Sequence, residues 1–356
     1  MTWSLMFKKS MTKKSVCITK LSQKYKIKVE KKMKKGLKKL LSTSAVLAGL
    51  VALTACAQAP ASEGNAQGEG ESEELKTITV THEYGETPVK EEPKNVVVFD
   101  FGILDALDYM GVEVTGLPRS GSLPAHLSKF ESDEYANAGS LKEPDLEAVY
   151  EMNPDLIIIS GRQADYYEEL NEIAPTIYMG LDNEDYLKSF EENMTLLGDI
   201  FNKEDIVKKG LEEVNEKVEA LNKEVTAQGS NALVVLTNEG SVSAYGASSR
   251  FGIIHNGFGF AEADENIESA AQHGAKVSFE YIADLNPDYL FVVDRGAVVG
   301  GESSAQGTLN NELINSTDAA KNGNIIYLDA ALWYTATGGF TSTLKMVDEV
   351  STAIQQ

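Results

Sequence analysis

At 356 residues the chain is long enough for two ordinary domains, and with 42% hydrophobic and 24% charged residues it reads neither as disordered throughout nor as membrane-embedded throughout. The formal charge of −22 is unevenly spread: residues 1–55 hold fourteen lysines and one glutamate, leaving eighteen basic against fifty-three acidic residues, about −35, in the remainder. A surface of that sign argues against nucleic acid as a partner, because duplex binding depends on neutralising phosphates with basic side chains.

The first recognisable element is "MKKGLKKLLSTSAVLAGLVALTAC", from Met33 to Cys56. A lysine-rich start, an apolar stretch from Leu40 to Leu53 and a small-residue cleavage zone make a secretory signal. The apolar stretch is shorter than the roughly 20 residues of a comfortable transmembrane helix. Leu53-Thr54-Ala55-Cys56 resembles the bacterial lipobox, whose cysteine is lipidated and becomes the first residue after cleavage. Residues 1–55 are therefore expected to be a lipoprotein signal region, and a translation start at Met33 would account for the unusual residues 1–32. With Cys17 in the discarded part, Cys56 is the only cysteine of the mature chain, so no disulfide, thiolate metal site or cysteine nucleophile is available. Residues 56–75, rich in Gly, Ser and Glu and poor in large apolar residues, are expected to be a disordered tether.

The folded body is expected to begin at residue 76. "NVVVFD" (95–100) and "DLIIIS" (155–160) are continuous apolar runs, as are "NALVVLT" (231–237), "DYLFVVD" (288–294) and "NIIYLD" (324–329). Strands buried on both faces have this pattern, which predicts parallel sheets covered by helices. "FGILDALDYMG" and "DLEAVYEMNP" read as helices between them, the second ended by proline. From Lys203 to Ala227, Val207, Leu211, Val214, Val218, Leu221 and Val225 form one apolar helical stripe, read as a single long connector. The fold expected is α/β: an N-terminal lobe over 76–202, a connecting helix over 203–227 and a C-terminal lobe over 228–356, two Rossmann-like lobes with parallel sheets.

A duplication supports two lobes. "NPDLIIISGR" from Asn153 and "NPDYLFVVDR" from Asn286 share Asn-Pro-Asp, an apolar run and a terminal arginine, 133 positions apart. In that register Glu147 matches Glu280 and Arg162 matches Arg295. The competing reading is convergence, since Asn-Pro-Asp is favourable turn chemistry anywhere.

Beyond residue 55 there are only four arginines, Arg119, Arg162, Arg250 and Arg295, against fourteen lysines. Each follows a predicted strand or strand and loop, and ligands of open parallel sheets bind beyond the carboxyl ends of strands. A planar guanidinium engages paired oxygens of carboxylate or catecholate, whereas lysine supplies a mobile point charge. The alternative is that these arginines pair with neighbouring acids. No Gly-x-Gly-x-x-Gly follows a strand, and neither a phosphate loop nor a Gly-x-Ser-x-Gly elbow is present, so an α/β enzyme is the weaker reading.

"VVVFDFGILDALDYMG", "PDLIIISGRQ", "SAYGASSRFGIIH", "ADENI", "HGAKVSFEYIADLNPDYLFVVDR" and "IIYLDAALWY" together resemble cell-surface ferric-siderophore-binding lipoproteins of ABC importers, of the catecholate and petrobactin type. The resemblance covers nearly all of residues 76–356. It implies a ferric complex held between two lobes rigidly joined by a helix, with Arg162, Arg250 and Arg295 cradling iron-bound catecholates. It also implies His273 and Tyr334 as candidate direct iron(III) ligands where the siderophore leaves coordination positions open. Glu147 and Glu280 would dock on the membrane permease, which works with an ATPase on another chain. The protein would be anchored through Cys56 at the extracytoplasmic face of the cell membrane, with the ferric siderophore as ligand and no intrinsic cofactor. A haem- or cobalamin-binding lipoprotein of the same fold is the alternative within the binding class.

Overall fold

The structure, a computed structural model, describes residues 76–119, 123–267 and 274–355. The signal region, the tether, Cys56 and His273 lie outside the described residues. The body opens with an antiparallel hairpin, β1 (Thr77–His82) and β2 (Gly85–Lys90). The N-terminal sheet follows: β3 (Val96–Val98), β4 (Gly116–Leu117), β5 (Ala136–Asn137), β6 (Leu156–Ile159) and β7 (Thr176–Tyr178). Its order is β5-β4-β3-β6-β7 and every pairing is parallel. All seven side chains of β3 and β6 are buried, as expected for strands covered on both faces.

The C-terminal sheet contains β8 (Asn231–Asn238), β9 (Ser241–Tyr245), β10 (Ala261–Glu262), β11 (Ala275–Val277), β12 (Tyr289–Asp294) and β13 (Ile325–Leu328). The order is β11-β9-β8-β12-β13, with β10 beside the start of β8. Here the expectation of purely parallel sheets needs correction, because β9 runs antiparallel to β8 and β11 antiparallel to β9. The cause is local. Only Glu239 and Gly240 separate β8 from β9, both with positive φ (48° and 73°), which is the two-residue turn of a tight hairpin. A parallel crossover needs a dozen or more residues.

The two α/β lobes are joined by a helix from Glu204 to Gln228, on which Val207, Val214, Val218, Leu221 and Val225 are buried. Gly229 ends it at φ 69°. The last helix, Phe340–Ile354, returns to the N-terminal half of the chain: Phe340 packs on Tyr109 and Phe190 with ring centroids 4.6 and 5.6 Å apart. Gly210 of the connector leaves room for this, since a Cβ there would stand 2.6 Å from the Phe340 ring.

The Asn-Pro-Asp repeat has a structural meaning in each lobe. Asn153 ends helix Leu146–Met152 and Asn286 ends helix Phe279–Leu285, both in the left-handed conformation (φ 51° and 45°) that asparagine tolerates. The aspartate then ties its strand to the next one. Asp155 accepts from the Lys94 and Asn95 amides ahead of β3, and Asp288 accepts from the Asn231 amide at the start of β8. Local turn and capping chemistry therefore accounts for the asparagine and the aspartate of each repeat. It does not account for the arginine that follows each strand.

Candidate functional site

Arg162 lies in a 3-10 turn, Gly161–Tyr166, directly after β6, and Arg295 opens helix Arg295–Val299 directly after β12. Both therefore occupy carboxyl ends of central strands, where the strand order of each sheet reverses. Arg250 sits between β9 and the short helix Ile253–Asn256.

The three side chains converge on Tyr334. Arg162 and Arg250 each donate from Nη2 to the Tyr334 carbonyl oxygen, at 2.6 and 2.8 Å. Arg295 donates from Nε to the Tyr334 hydroxyl at 3.0 Å and from Nη1 to Asn238 Oδ1 at 2.7 Å. The guanidinium carbons of Arg162, Arg250 and Arg295 lie 5.7, 4.4 and 5.8 Å from the centre of the Tyr334 ring. All three lie within cation–π range of the one phenol. Among the described residues, none of the three arginines forms an ion pair with a carboxylate, although fifty-three acids lie beyond residue 55. The buried Arg250 Nε has no hydrogen-bond partner.

Cations gathered without counter-ions perturb one another. Burial, then the neighbouring charge of Arg162, pulls Arg250 down to about 10. On Tyr334 burial alone would raise the phenol, but the hydrogen bond from Arg295 and the charges of Arg250, Arg295 and Arg162 outweigh it, and the net direction is down. Tyr245, at the end of β9, feels Arg250 and Arg295 as well, yet burial prevails and its phenol is raised. The two phenols are thus shifted in opposite directions, Tyr334 down and Tyr245 up.

Tyr334 is carried on a π-helical turn, Ala331–Thr335, of a type often found at functional sites. Glu349 of the last helix clamps that turn from behind. Its Oε1 accepts from the Asp329 amide at 2.9 Å and its Oε2 from the Trp333 indole at 2.7 Å, while Asp329 caps the Ala331 and Leu332 amides. Trp333 is completely buried and packs edge-on against Phe258.

The fourth arginine behaves differently. Arg119 donates to the carbonyls of Glu131, Ser132 and Tyr135, tying down the segment after the 3-10 turn Ala125–Glu131, and takes no part in the cluster. Glu147 and Glu280 are exposed in the first turns of their helices, beside the capping residues Asp145 and Ser278. Asn238 and Glu349 were missed by sequence reasoning. Asn238 could have been found as the residue at the carboxyl end of β8, beside Arg295; nothing local to Glu349 signals its role.

A Ser-His-Asp grouping does occur, at Ser342, His126 and Asp105, but not in relay geometry. Asp105 Oδ1 and Ser342 Oγ both approach the same nitrogen, His126 Nε2, at 3.4 Å, whereas a relay uses the two ring nitrogens separately. Asp105 also accepts from the Ser342 amide at 2.7 Å, so the group fastens the start of the last helix to helix Phe101–Tyr109.

Two α/β lobes joined by a helix, with three arginines gathered on one tyrosine beyond the strand ends, are the frame of a solute-binding protein. The chain belongs to the periplasmic binding protein family, whose profile matches residues 96–332. It is 44% identical over 324 residues to the petrobactin-binding protein YclQ of Bacillus subtilis, covering 90% of this chain and all of that one. It is 31% identical to the ferric-anguibactin-binding protein FatB of Vibrio anguillarum, over 87% of this chain and 96% of that one. Among solved structures, the periplasmic catecholate-siderophore binding protein VctP of Vibrio cholerae superposes with a TM-score of 0.74 at 37% identity, covering 78% of this chain and all of that chain. The family is one of binding proteins and not of enzymes.

Proposed function

We propose that the protein captures a ferric catecholate-type siderophore outside the cell and delivers it to an ABC permease, with Cys56 as its lipid anchor on the extracytoplasmic face of the membrane. The observation that carries this reading is the convergence of Arg162, Arg250 and Arg295, unpaired with carboxylates, on one phenol. Iron(III) bound by deprotonated catechols is compact, multiply anionic and lined with paired oxygens, which is what a planar guanidinium fork engages. At about 4 Å and an effective dielectric near 20, each unit charge pair is worth roughly 4 kcal/mol before desolvation, and remote acids are screened over about 8 Å. A cationic pocket can therefore hold an anion on a strongly acidic protein. The names borne by the relatives, petrobactin-binding, ferric-anguibactin-binding and catecholate-siderophore binding, support the same ligand class.

Tyr334, with a phenol already lowered by its three cations, is proposed as a direct iron ligand where the chelate leaves a position open, with His273 as its partner. Quenching of Trp333, the only tryptophan after residue 55, reports occupancy. Titrating the mature protein with ferric catecholates, haem and cobalamin should give saturable quenching with the catecholates alone. Tight binding of haem or cobalamin, with none of the catecholates, would refute the assignment.

Glu147 and Glu280 are proposed as the permease contacts, one on each lobe. Their exposure and their matching places in the repeat support this, although a first-turn acid also complements a helix dipole. Reversing both, Glu147→Lys with Glu280→Lys, should cut siderophore-dependent iron uptake by about tenfold or more and leave chelate affinity within about twofold, the pattern of buried interfacial charge pairs remote from the ligand. Normal uptake, or lost affinity, would remove the docking role.

A further inference from the structure

The hairpin β1–β2 precedes the residues matched by the family profile, and its tip lies against Tyr178 at the carboxyl end of β7. Thr87 Oγ1 donates to the Thr176 carbonyl at 3.1 Å, fixing the hairpin along β7. Its tip residue Tyr84 stacks on Tyr167 with centroids 4.3 Å apart and an interplanar angle of 17°, and meets Tyr178 edge-on at 5.5 Å. Tyr178 ends β7 and pairs with Ile159, the last residue of β6, and a Cβ on Gly161 would lie 3.6 Å from its hydroxyl. The tyrosine corner therefore adjoins the turn that carries Arg162.

Two features separate this corner from an ordinary hairpin anchor. Tyr84 keeps 38% of its surface exposed, although Tyr167 covers one of its faces. The charges that shift the Tyr84 and Tyr178 phenols are also negative. Burial first, then Glu83 and Asp165, push the Tyr84 phenol above its usual value, and burial, Glu83, Tyr84 and Asp100 do the same for Tyr178. Asp100 is occupied in capping Gly102 and Ile103, but among the described residues neither Glu83 nor Asp165 forms an ion pair or hydrogen bond. An exposed electron-rich ring, backed by the half-buried Tyr178 and with two free carboxylates beside it, repels the anionic part of any ligand. It suits a cation.

We propose that Tyr84 and Tyr178, flanked by Glu83 and Asp165, form a second subsite of the cleft that takes a protonated amine on the organic frame of the bound iron chelate. The subsite rests on the reading of the arginine cluster given above and adds a requirement to it: the preferred ligand is bipolar, with an anionic iron core against Arg162, Arg250 and Arg295 and a cationic arm on the tyrosine shelf. A ring-face contact and two solvated carboxylate contacts together are worth about tenfold in affinity.

The test uses two ferric bis(dihydroxybenzoyl) amides of equal span, one built on a linear triamine whose central nitrogen is protonated at neutral pH, the other on a linear diamine. Titrated by Trp333 quenching, the mature wild-type protein should prefer the triamine chelate by about tenfold. In Glu83→Gln with Asp165→Asn, and separately in Tyr84→Leu, the preference should fall to within about twofold through loss of triamine affinity alone. Equal wild-type affinity for the two chelates, or a preference that survives in both variants, overturns the subsite and leaves the arginine cluster standing. Equal loss of both chelates in the variants, which a purely structural clamp would give, also overturns it. If wild type binds neither chelate, the arginine reading falls and the shelf with it.

Discussion

Replacing Arg162, Arg250 and Arg295 together by alanine should abolish binding of ferric catecholates while leaving the fold intact or slightly stabilised. The first half follows from the bonds lost. A hydrogen bond to a charged group contributes about 1.5–3 kcal/mol, so three lost guanidinium contacts amount to three decades of affinity or more, beyond the range of a practical titration. The second half follows from the absence of counter-ions among the described residues. In the free protein these cations are held close together around Tyr334 against their own repulsion, with Asn238 as a further neutral acceptor for Arg295, and Arg250 is buried with Nε unpartnered among the described residues. Removing cations that nothing neutralises relieves desolvation and repulsion, whereas breaking a buried ion pair would destabilise. Lost binding with an unchanged or raised melting temperature therefore separates a ligand-binding role from a structural one. Lysine at all three positions should restore little, because it keeps the charge but loses the planar fork. A triple-alanine protein that still quenched on titration as wild type does would end the proposal.

How much of this could be read from the sequence depends on the range of the interaction concerned. The apolar runs at 96–98, 156–159, 231–238 and 289–294 became strands because burial on both faces leaves a mark in consecutive residues, whereas the run at 325–328 became the edge strand β13, with Leu328 buried and Tyr327 exposed. The helix Glu204–Gln228 was legible to within a residue for a similar reason, its stripe of valines and leucines repeating every three and four positions. The hairpins were not foreseen. β1 alternates Thr-Ile-Thr-Val-Thr, and Glu239-Gly240 is a recognisable tight turn, but neither competes visually with the long apolar runs.

At the site, rarity of arginine identified the right residue type, yet it did not distinguish Arg119, which is held by three backbone carbonyls, from the three that converge. That distinction depends on where chain segments more than eighty residues apart come to lie, as in the bond from Arg250 to the Tyr334 carbonyl. Glu349 is the extreme case: an acid in an amphipathic helix looks like solvated surface until the fold brings Trp333 and Asp329 to it.

Such long-range dependence makes Gly102 the position at which fold and site are most tightly coupled. Gly102 is the second residue of helix Phe101–Tyr109, and its amide is capped by Asp100 at 2.9 Å. By helix propensity alone, Gly102→Ala should stabilise by about 1 kcal/mol. However, a Cβ there would stand 2.8 Å from the Thr337 carbonyl carbon and closer still to its oxygen, so the obstacle is backbone that cannot rotate away. Thr337 has little room to retreat, because a Cβ on nearby Gly339 would already lie 2.6 Å from both Asp105 Cβ and the Gly102 carbonyl oxygen. Overpacking of this kind costs about 1–3 kcal/mol, and more where backbone must shift, so the clash prevails over propensity and the variant should be less stable by about 1–2 kcal/mol. The strain falls on the connector between Thr335 and Gly339, which leads directly from the Tyr334 turn into the last helix. Moving that connector displaces the phenol and the carbonyl on which all three arginines are aimed, so chelate affinity should fall by about tenfold as well, since misplacing groups by about 1 Å is enough to weaken a preorganised site. Urea unfolding and chelate titration on the same preparation test both halves. A rise in the unfolding midpoint would show that propensity had won, and a lower midpoint with unchanged affinity would show that the clasp around Gly102 holds the fold without aiming the site.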